Sequence, residues 1–219
     1  MRIFSLRRIL ILLSVLMVSA LLGYHWYVLR QFSIAYDEYL LAAAQHDEVA
    51  SIPALPENPL RRDLNQALAD VLTETTTPVE RVARAEEGLT LLVLANGAID
   101  AIGEVGEDTM EAVIRMEETR SLASFAPTLQ STLIEHARRR LDIIADIRGL
   151  SYRANHHTQE IFERVIEEKG ELTNAHAREI DRLIPDVEEQ FNRRSNLYAE
   201  LAEERRLLQG AGKALTSRW

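Results

Sequence analysis

The strongest hydrophobic pattern lies at the start of the chain. Residues Ile9–Leu29 read ILILLSVLMVSALLGYHWYVL, a run of 21 residues without Asp, Glu, Lys or Arg. A membrane-spanning helix needs about 20 apolar residues, because each adds about 1.5 Å across a hydrocarbon layer of about 30 Å. Tyr24, Trp26 and Tyr27 lie at the far end, where interfacial aromatic side chains accumulate. The pattern predicts a transmembrane helix over residues 9–29.

Basic residues set the predicted orientation of this helix. Arg2, Arg7 and Arg8 lie within residues 1–8, which form a short basic segment before the apolar run. Basic segments favour the cytoplasmic side of a membrane, so we expect residues 1–8 in the cytoplasm and the bulk of the chain outside. The prediction is a single-pass protein of the bacterial inner (cytoplasmic) membrane, with its bulk in the periplasm.

A cleaved signal peptide is the alternative interpretation of the same segment. The small residues Val18-Ser19-Ala20 are of the kind at which a signal peptidase cuts. Apolar sequence continues past this point into the aromatic cluster, which favours an uncleaved anchor. Both interpretations export the rest of the chain.

The remaining sequence has helical rather than alternating periodicity. Prolines and turn residues interrupt it at 51–59, 74–78 and 123–127. Thr77 before Pro78 is a typical helix start. Helices are predicted over residues 31–50, continuing the spanning helix, and over 60–73, 79–122, 127–169 and 171–209. Short connections make neighbouring helices antiparallel, so the predicted class is all-α: a transmembrane helix, an extended antiparallel bundle over residues 30–209 and a flexible tail at 210–219.

The last helix is predicted to be coiled-coil-like. Its apolar residues recur at three- and four-residue steps, which is typical of a narrow hydrophobic seam. They are Ile180, Leu183, Val187, Phe191, Tyr198, Leu201 and Leu208. The seam is expected to pack either within the bundle or against another chain, and Pro185 predicts a kink. Gly170 is expected to end or bend the preceding helix.

Two internal segments raise specific expectations. Residues 89–103 (LTLLVLANGAIDAIG) are apolar nearly all round, so this helix should contain the most buried stretch, with a buried strand as the alternative. Gly97, Gly103 and Gly106 mark a kink, a close helix crossing or a break. Residues 151–160 (SYRANHHTQE) are polar and are expected to be exposed and irregular.

Composition and charge remove several classes of function. The 219 residues include no Cys, which excludes disulfides and thiolate metal sites. Residues 1–36 contain four arginines and no acidic residue, so the net charge of −9 for the chain corresponds to −13 for residues 37–219. Nucleic-acid binding requires a basic surface, so no nucleic-acid partner is expected.

Histidines are the remaining candidate metal ligands. His156 and Glu160 would share a helix face, with His157 beside them. A bundle di-metal site needs Glu-x-x-His pairs, which the chain lacks. The preferred interpretation is surface histidines, and His46, His136 and His176 are expected to be structural or solvent-facing. We predict no catalytic, cofactor-binding or metal-ligating residue, and not an enzyme.

The predicted function follows from this architecture. We expect a membrane-anchored helical interaction or scaffold protein of the cell envelope, an accessory subunit of a larger assembly. Its expected partners are membrane lipid through residues 9–29, and other envelope proteins or a second copy through the C-terminal helix. The alternative is a ligand-sensing bundle that acts through a partner protein. In topology alone, the layout resembles the sensor portions of chemoreceptors and histidine kinases, which return through a second span.

Overall fold

The computed structural model describes residues 2–51, 59–73, 75–121, 126–171 and 173–216. Every regular element among these residues is an α-helix. The helices are α1 (Arg2–Ser51), α2 (Pro59–Leu72), α3 (Pro78–Thr119), α4 (Pro127–Glu167) and α5 (Asn174–Thr216). They pack against one another, α4 most extensively against α5, and α3 against α1, α2 and α4. The predicted all-α helical bundle with a long apolar N-terminal helix is therefore confirmed.

Two core clusters show how the helices run. One cluster combines Phe32 of α1 with Met116, Leu133 and Leu215 from α3, α4 and α5. The other combines residues from α2, the start of α3, the end of α4 and the start of α5, among them Leu64, Leu92, Phe162 and Ile180. Helices α3, α4 and α5 therefore alternate in direction, and α2 lies at the far end of the bundle, beyond the part of α1 that packs in the first cluster.

The starts and ends of the helices follow the local sequence signals. Thr77 caps α3: its hydroxyl accepts a hydrogen bond from the Glu80 backbone N–H at 3.3 Å, and the Glu80 carboxylate accepts one from the Thr77 N–H at 3.0 Å. After α4, Gly170 has a φ of 76° and its N–H donates to the Val165 carbonyl at 2.8 Å. A Cβ at Gly170 would overlap the backbone of Pro78, so this glycine lets the end of α4 pack against the start of α3.

The expectation for residues 89–103 needs correction. Leu92, Ile99 and Ile102 are buried, but Val93 is 71% exposed and Leu94 is 58% exposed. The helix turns only one face to its neighbours, so an apolar residue on the outer face remains uncovered.

The glycines of α3 neither break nor interrupt the helix, which is continuous from Pro78 to Thr119. Gly103 and Gly106 lie where side chains of other helices approach α3 closely. A Cβ at Gly103 would overlap the Arg148 guanidinium, and one at Gly106 would lie 3.3 Å from the His46 ring. A Cβ at Gly97 would meet nothing within 4 Å. The close-crossing alternative therefore describes two of the three positions.

The expectation of an exposed, irregular segment at 151–160 is wrong. These residues are regular helix within α4, and Ser151, Asn155 and Thr158 are buried. Their polar groups have partners: Asn155 Nδ2 donates to Asn96 Oδ1 at 2.8 Å, and the Thr158 hydroxyl donates to the Ala154 carbonyl at 2.8 Å. Hydrogen bonding makes the burial of polar side chains tolerable.

The predicted tail at 210–219 also needs correction. Helix α5 continues to Thr216, and Leu215 is fully buried in the cluster that contains Phe32. Pro185 lies inside α5, where the sequence predicted a kink. The predicted breaks at 51–59 and 123–127 fall largely on residues 52–58 and 122–125, which lie outside the described residues, as do residues 217–219.

Gly88 and Gly97 lie on the same helix in opposite surroundings, so substitutions at these two positions test how α3 packs. Gly88→Ala should lower the free energy of unfolding by about 1–3 kcal/mol, because its Cβ would overlap the ring of the fully buried Phe162. Gly97→Ala, at an open position of the same helix, should raise it by up to about 1 kcal/mol through higher helix propensity. Urea unfolding of the detergent-solubilised protein, followed by circular dichroism, measures both. Equal effects of the two substitutions would contradict this packing.

Candidate functional site

The N-terminal part of α1 is an exposed apolar rod. From Arg7 to Tyr27 every side chain is exposed except that of His25, which is half-buried, and burial begins at Val28 and Leu29. These 21 residues correspond to about 31 Å of helix, close to the hydrocarbon thickness of a bilayer. A soluble protein rarely exposes so large a contiguous apolar surface. The segment is the candidate membrane anchor.

Length and composition allow two helices to span a membrane. One is Arg7–Val49, whose most apolar window is 0% buried, and the other is Pro78–Thr119, whose window is 22% buried. Helix α3 uses its buried face to contact α1, α2 and α4. The segment of α1 before Val28 makes no such contacts among the described residues, so its insertion into a membrane would not disrupt the bundle. It is therefore the better candidate for a membrane span.

Aromatic and basic side chains lie at the end of the candidate anchor. The guanidinium carbon of Arg30 lies 5.2 Å from the centroid of the Trp26 ring, a cation–π contact. Tyr24 and Tyr27 are exposed around the same turn. An interfacial position would place these rings between hydrocarbon and water.

The same helix then enters the core, where it packs mainly against α3 and contacts α5 through Tyr36. Tyr36 is buried, and its hydroxyl donates a hydrogen bond to the Leu208 carbonyl at 2.9 Å. Burial, with a smaller contribution from Asp37, raises the pKa of Tyr36 to about 12, so the hydroxyl stays protonated. A Cβ at Gly212 would overlap the Tyr36 ring, which shows how closely α5 approaches.

A buried ion pair joins α1 to α4 at the next level of the bundle. Arg140 is 1% exposed; its guanidinium donates to the Ala43 carbonyl at 2.8 Å and forms a short ion pair with Asp47. Arg205 of α5 lies 3.7 Å from the other Asp47 oxygen. Removing one partner of such a pair leaves a buried charge, which costs about 3–5 kcal/mol.

An open groove of about 730 Å³ lies beside this ion pair, between α3 and α4. Its acidic edge on α3 consists of Asp100, Glu104, Glu107 and Glu111, at helical spacings of three and four residues. Arg148 is the basic residue on the α4 side. Apolar side chains form the rest of the lining: Ile102, Met110, Ile114, Leu141, Ile144 and Ala145. We call this surface the acidic groove.

His46 lies at the floor of the acidic groove. It is 2% exposed, and neither ring nitrogen has a hydrogen-bond partner among the described residues. Burial, followed by the positive charge of Arg140, lowers the pKa of His46 to about 4. The ring is therefore neutral near pH 7.

The sequence assigned His46 to a structural or solvent-facing role and did not connect it to a cavity. A signal for its burial was present, because His46 continues the helical stripe of Phe32, Tyr39 and Ala43, all of which are buried. The groove itself needed tertiary information, since it forms where α3 meets α4.

The histidines singled out in the sequence lie elsewhere on α4. Glu160 accepts contacts from both of them, at 3.5 Å to His156 Nε2 and 3.3 Å to His157 Nδ1. His156 is exposed, and His157 is half-buried. Within the described part of the chain, no group of three or more His, Cys, Asp or Glu side chains has the arrangement of a metal site.

Comparison with protein-family models, with curated proteins and with solved structures finds no match to this chain. The candidate function therefore depends on the anchor and the groove themselves.

His46 generates a prediction about pH. Its folded-state pKa of about 4 lies below the unfolded value near 6.5, so the unfolded chain binds a proton between these values and the folded chain does not. Stability should therefore fall as pH decreases through this window, by about 2 kcal/mol from His46 between pH 7 and pH 5. Urea unfolding at each pH gives the free energy of unfolding of the parent and of His46→Leu. The difference between the two free energies isolates the contribution of His46 from that of other titrating groups. A difference that does not change between pH 7 and pH 5 would refute the assignment.

Proposed function

We propose that this chain is a single-pass, membrane-anchored helical interaction protein of the cell envelope, an accessory subunit of a larger membrane assembly. One observation carries the proposal: a single uninterrupted helix, α1, runs from the exposed apolar segment into the buried core. The anchor and the bundle therefore form one continuous element. Such an architecture holds a binding surface at a defined distance from a bilayer.

The proposed location is the bacterial inner membrane, with the bundle in the periplasm. Support comes from the basic residues Arg2, Arg7 and Arg8 before the apolar segment, because positive charge is retained on the cytoplasmic side. The acidic character of residues 37–219 agrees with a bundle that stays away from anionic lipid headgroups.

The acidic groove is the interaction surface that we propose. Met110 and Ile114 line it and are 48% and 46% exposed, and Glu104 and Glu107 have no ion-pair partner among the described residues. An apolar floor with an acidic edge suits an amphipathic helix that carries a basic face. The occupant that we propose is such a helix from another envelope protein.

The C-terminal helix is a weaker candidate for this role than the sequence indicated. Its seam residues Ile180, Val187, Leu201 and Leu208 are all buried within the bundle of the same chain. Binding another chain through them would require α5 to leave α4, its most extensive contact.

Ligand sensing is the second candidate function. The volume of the acidic groove, about 730 Å³, falls within the range of small-molecule pockets. A bundle of this kind would transmit binding through a partner protein. A metabolite that raises the thermal midpoint of the parent, but not of Met110→Arg, would favour this function.

The anchor is tested by a pair of equally exposed leucines. Leu16 lies within the apolar segment and Leu41 lies beyond it; they are 65% and 67% exposed. Lys at the centre of a spanning helix costs about 2.5–3.5 kcal/mol, so Leu13→Lys/Leu16→Lys should shift the protein out of the membrane fraction. Leu41→Lys should leave it there. Carbonate extraction and immunoblotting measure the partition, and equal partition of both variants would disprove an anchor at this segment.

The groove is tested by reversing the charge of its edge. Glu104→Lys/Glu107→Lys should reduce recovery of the basic partner from native membranes at least tenfold, because like charges would then face each other. Glu86→Lys/Glu118→Lys makes the same charge change on exposed positions of α3 outside the groove lining and should retain the partner. Quantitative mass spectrometry, with a photo-crosslinker at Met110, identifies the contacting segment. Recovery unaffected by the groove variant, or a crosslinked segment without basic residues, would refute this surface.

A further inference from the structure

The acidic groove has two chemically different ends. At one end α3 contributes the carboxylates of Glu104 and Glu107 to the lining. Further along α3 the lining contains Met110 and Ile114, which face Leu141 of α4 across the groove. We call these three residues the apolar end. A ligand that fills the groove therefore needs one charged and one apolar part.

The carboxylates of Glu104 and Glu107 are open to a ligand. Both residues are exposed, and their side chains form no hydrogen bond or ion pair among the residues that the structure describes. The other two carboxylates of the acidic edge already have partners within the chain, namely Asp100 with the Tyr152 hydroxyl and Glu111 with the Arg115 guanidinium. The uncompensated negative charge of the edge is thus concentrated at one end of the groove.

Arg148 does not neutralise these two carboxylates. Its guanidinium lies against Gly103, where a Cβ would overlap it, and it hydrogen-bonds to Tyr152. Gly103 precedes Glu104 along α3 and lies on the side away from the apolar end. A ligand that extends from the carboxylates towards Met110 therefore does not overlap Arg148.

The floor of the groove adds a hydrogen-bond acceptor to the acidic end. His46 lines the groove, is 2% exposed, and has no hydrogen-bond partner for either ring nitrogen in the described part of the chain. A Cβ at Gly106 would lie 3.4 Å from His46 Nε2, so this edge of the ring faces α3 next to Glu107. The ring is neutral near pH 7, and a neutral imidazole has one nitrogen that accepts a hydrogen bond. The combination favours a cation that also donates N–H groups.

A bare metal ion matches this surface less well than an organic cation. Over the described ranges, no group of three or more His, Cys, Asp or Glu side chains could hold a metal ion. Met110 and Ile114 are 48% and 46% exposed, and a metal ion would leave them uncovered. An ammonium group attached to an apolar tail would satisfy the carboxylates and remove this apolar surface from water.

We propose that the acidic groove binds a free primary amine with an aliphatic or aromatic tail. Its ammonium contacts the carboxylates of Glu104 and Glu107 and donates a hydrogen bond to His46, and its tail covers the apolar end. The groove volume of about 730 Å³ accommodates a molecule of this size.

This inference rests on the proposed function, in which the groove is the binding surface, and it names the ligand class of the ligand-sensing alternative. A bound amine would occupy the carboxylates that the basic helix of a partner needs. The concentration of the amine would therefore control whether that helix can dock.

Calorimetric titration of the full chain in detergent and neutral buffer tests the site with hexylamine as the probe. Hexylamine should bind saturably, and about tenfold or more tightly than methylamine, hexanol or hexanoate, because these lack the tail, lack the charge or carry the opposite charge. From butylamine to hexylamine the affinity should rise about fourfold for each added methylene. Equal binding of any of the three comparison compounds, or no saturable binding of hexylamine, would overturn the proposal.

Charge-removing variants place the ammonium. Glu104→Gln/Glu107→Gln should weaken hexylamine binding about tenfold or more. Glu86→Gln/Glu118→Gln makes the same change at exposed positions of α3 outside the groove lining and should leave the affinity unchanged. Partition of the amine into detergent is the same for both proteins, so it does not affect the comparison. Equal affinities of the two double variants would contradict the site.

Further variants place the tail and the hydrogen bond. Ile114→Ser should weaken hexylamine binding about threefold or more, whereas Val93→Ser, at a 71% exposed position of the same helix outside the groove, should not. His46→Leu should also weaken binding, and His46→Gln, which keeps an acceptor oxygen, should bind more tightly than His46→Leu. Circular dichroism verifies that each variant retains its helices. Parent affinity in Ile114→Ser or in His46→Leu would refute the proposed contacts.

These titrations fail or succeed separately from the test of the interaction function. If Glu104→Lys/Glu107→Lys loses its partner protein but hexylamine does not bind the parent, the amine site is wrong and the docking surface stands. If hexylamine binds with the expected dependence on Glu104 and Glu107 but the charge reversal retains every partner, the amine site stands and the docking surface is wrong.

Discussion

One helix combines an apolar segment that no other helix covers with a segment that packs into the bundle, and the rest of the structure depends on this combination. In α1 the side chains from Arg7 to Tyr27 are exposed apart from the half-buried His25, whereas from Val28 onward a single stripe is buried. A lipid environment accepts apolar groups all round, but a bundle accepts them only on the face that meets its neighbours. Because no break separates the two regions, the helical register of the exposed apolar segment also sets which face α1 presents to the bundle.

Buried polar groups determine how the helices are aligned. The apolar clusters would tolerate small shifts between helices, but the Arg140–Asp47 ion pair and the hydrogen bond from Asn155 to Asn96 each allow one alignment. These contacts connect α1 to α4 and α4 to α3. In a low-dielectric interior an unsatisfied partner is costly, so specificity rather than net stability is the main effect of such groups.

Short-range sequence signals predicted the helices, whereas the burial of individual residues and the groove depend on contacts between helices. The cap at Thr77, the stop at Gly170 and the apolar run of α1 act within one or two turns of the chain. Burial depends on neighbouring helices, so Val93 was expected inside and Ser151 outside, and both expectations were wrong. For the end of α5 a signal existed: Leu215 continues the seven-residue spacing of Leu201 and Leu208 beyond the predicted boundary at 209. The groove could not be predicted, because its floor and edges come from three helices.

His46 and Arg140 are both buried, and each keeps a side-chain nitrogen without a partner among the described residues, but their chemistry differs. His46 can lose its proton on burial, so the folded chain holds it neutral and the cost appears only when the pH falls. Arginine keeps its charge at any physiological pH, so Arg140 cannot relieve its burial in the same way and depends on the Asp47 carboxylate of α1. Burial therefore leads to pH-dependent stability at His46 and to an ion pair that joins two helices at Arg140.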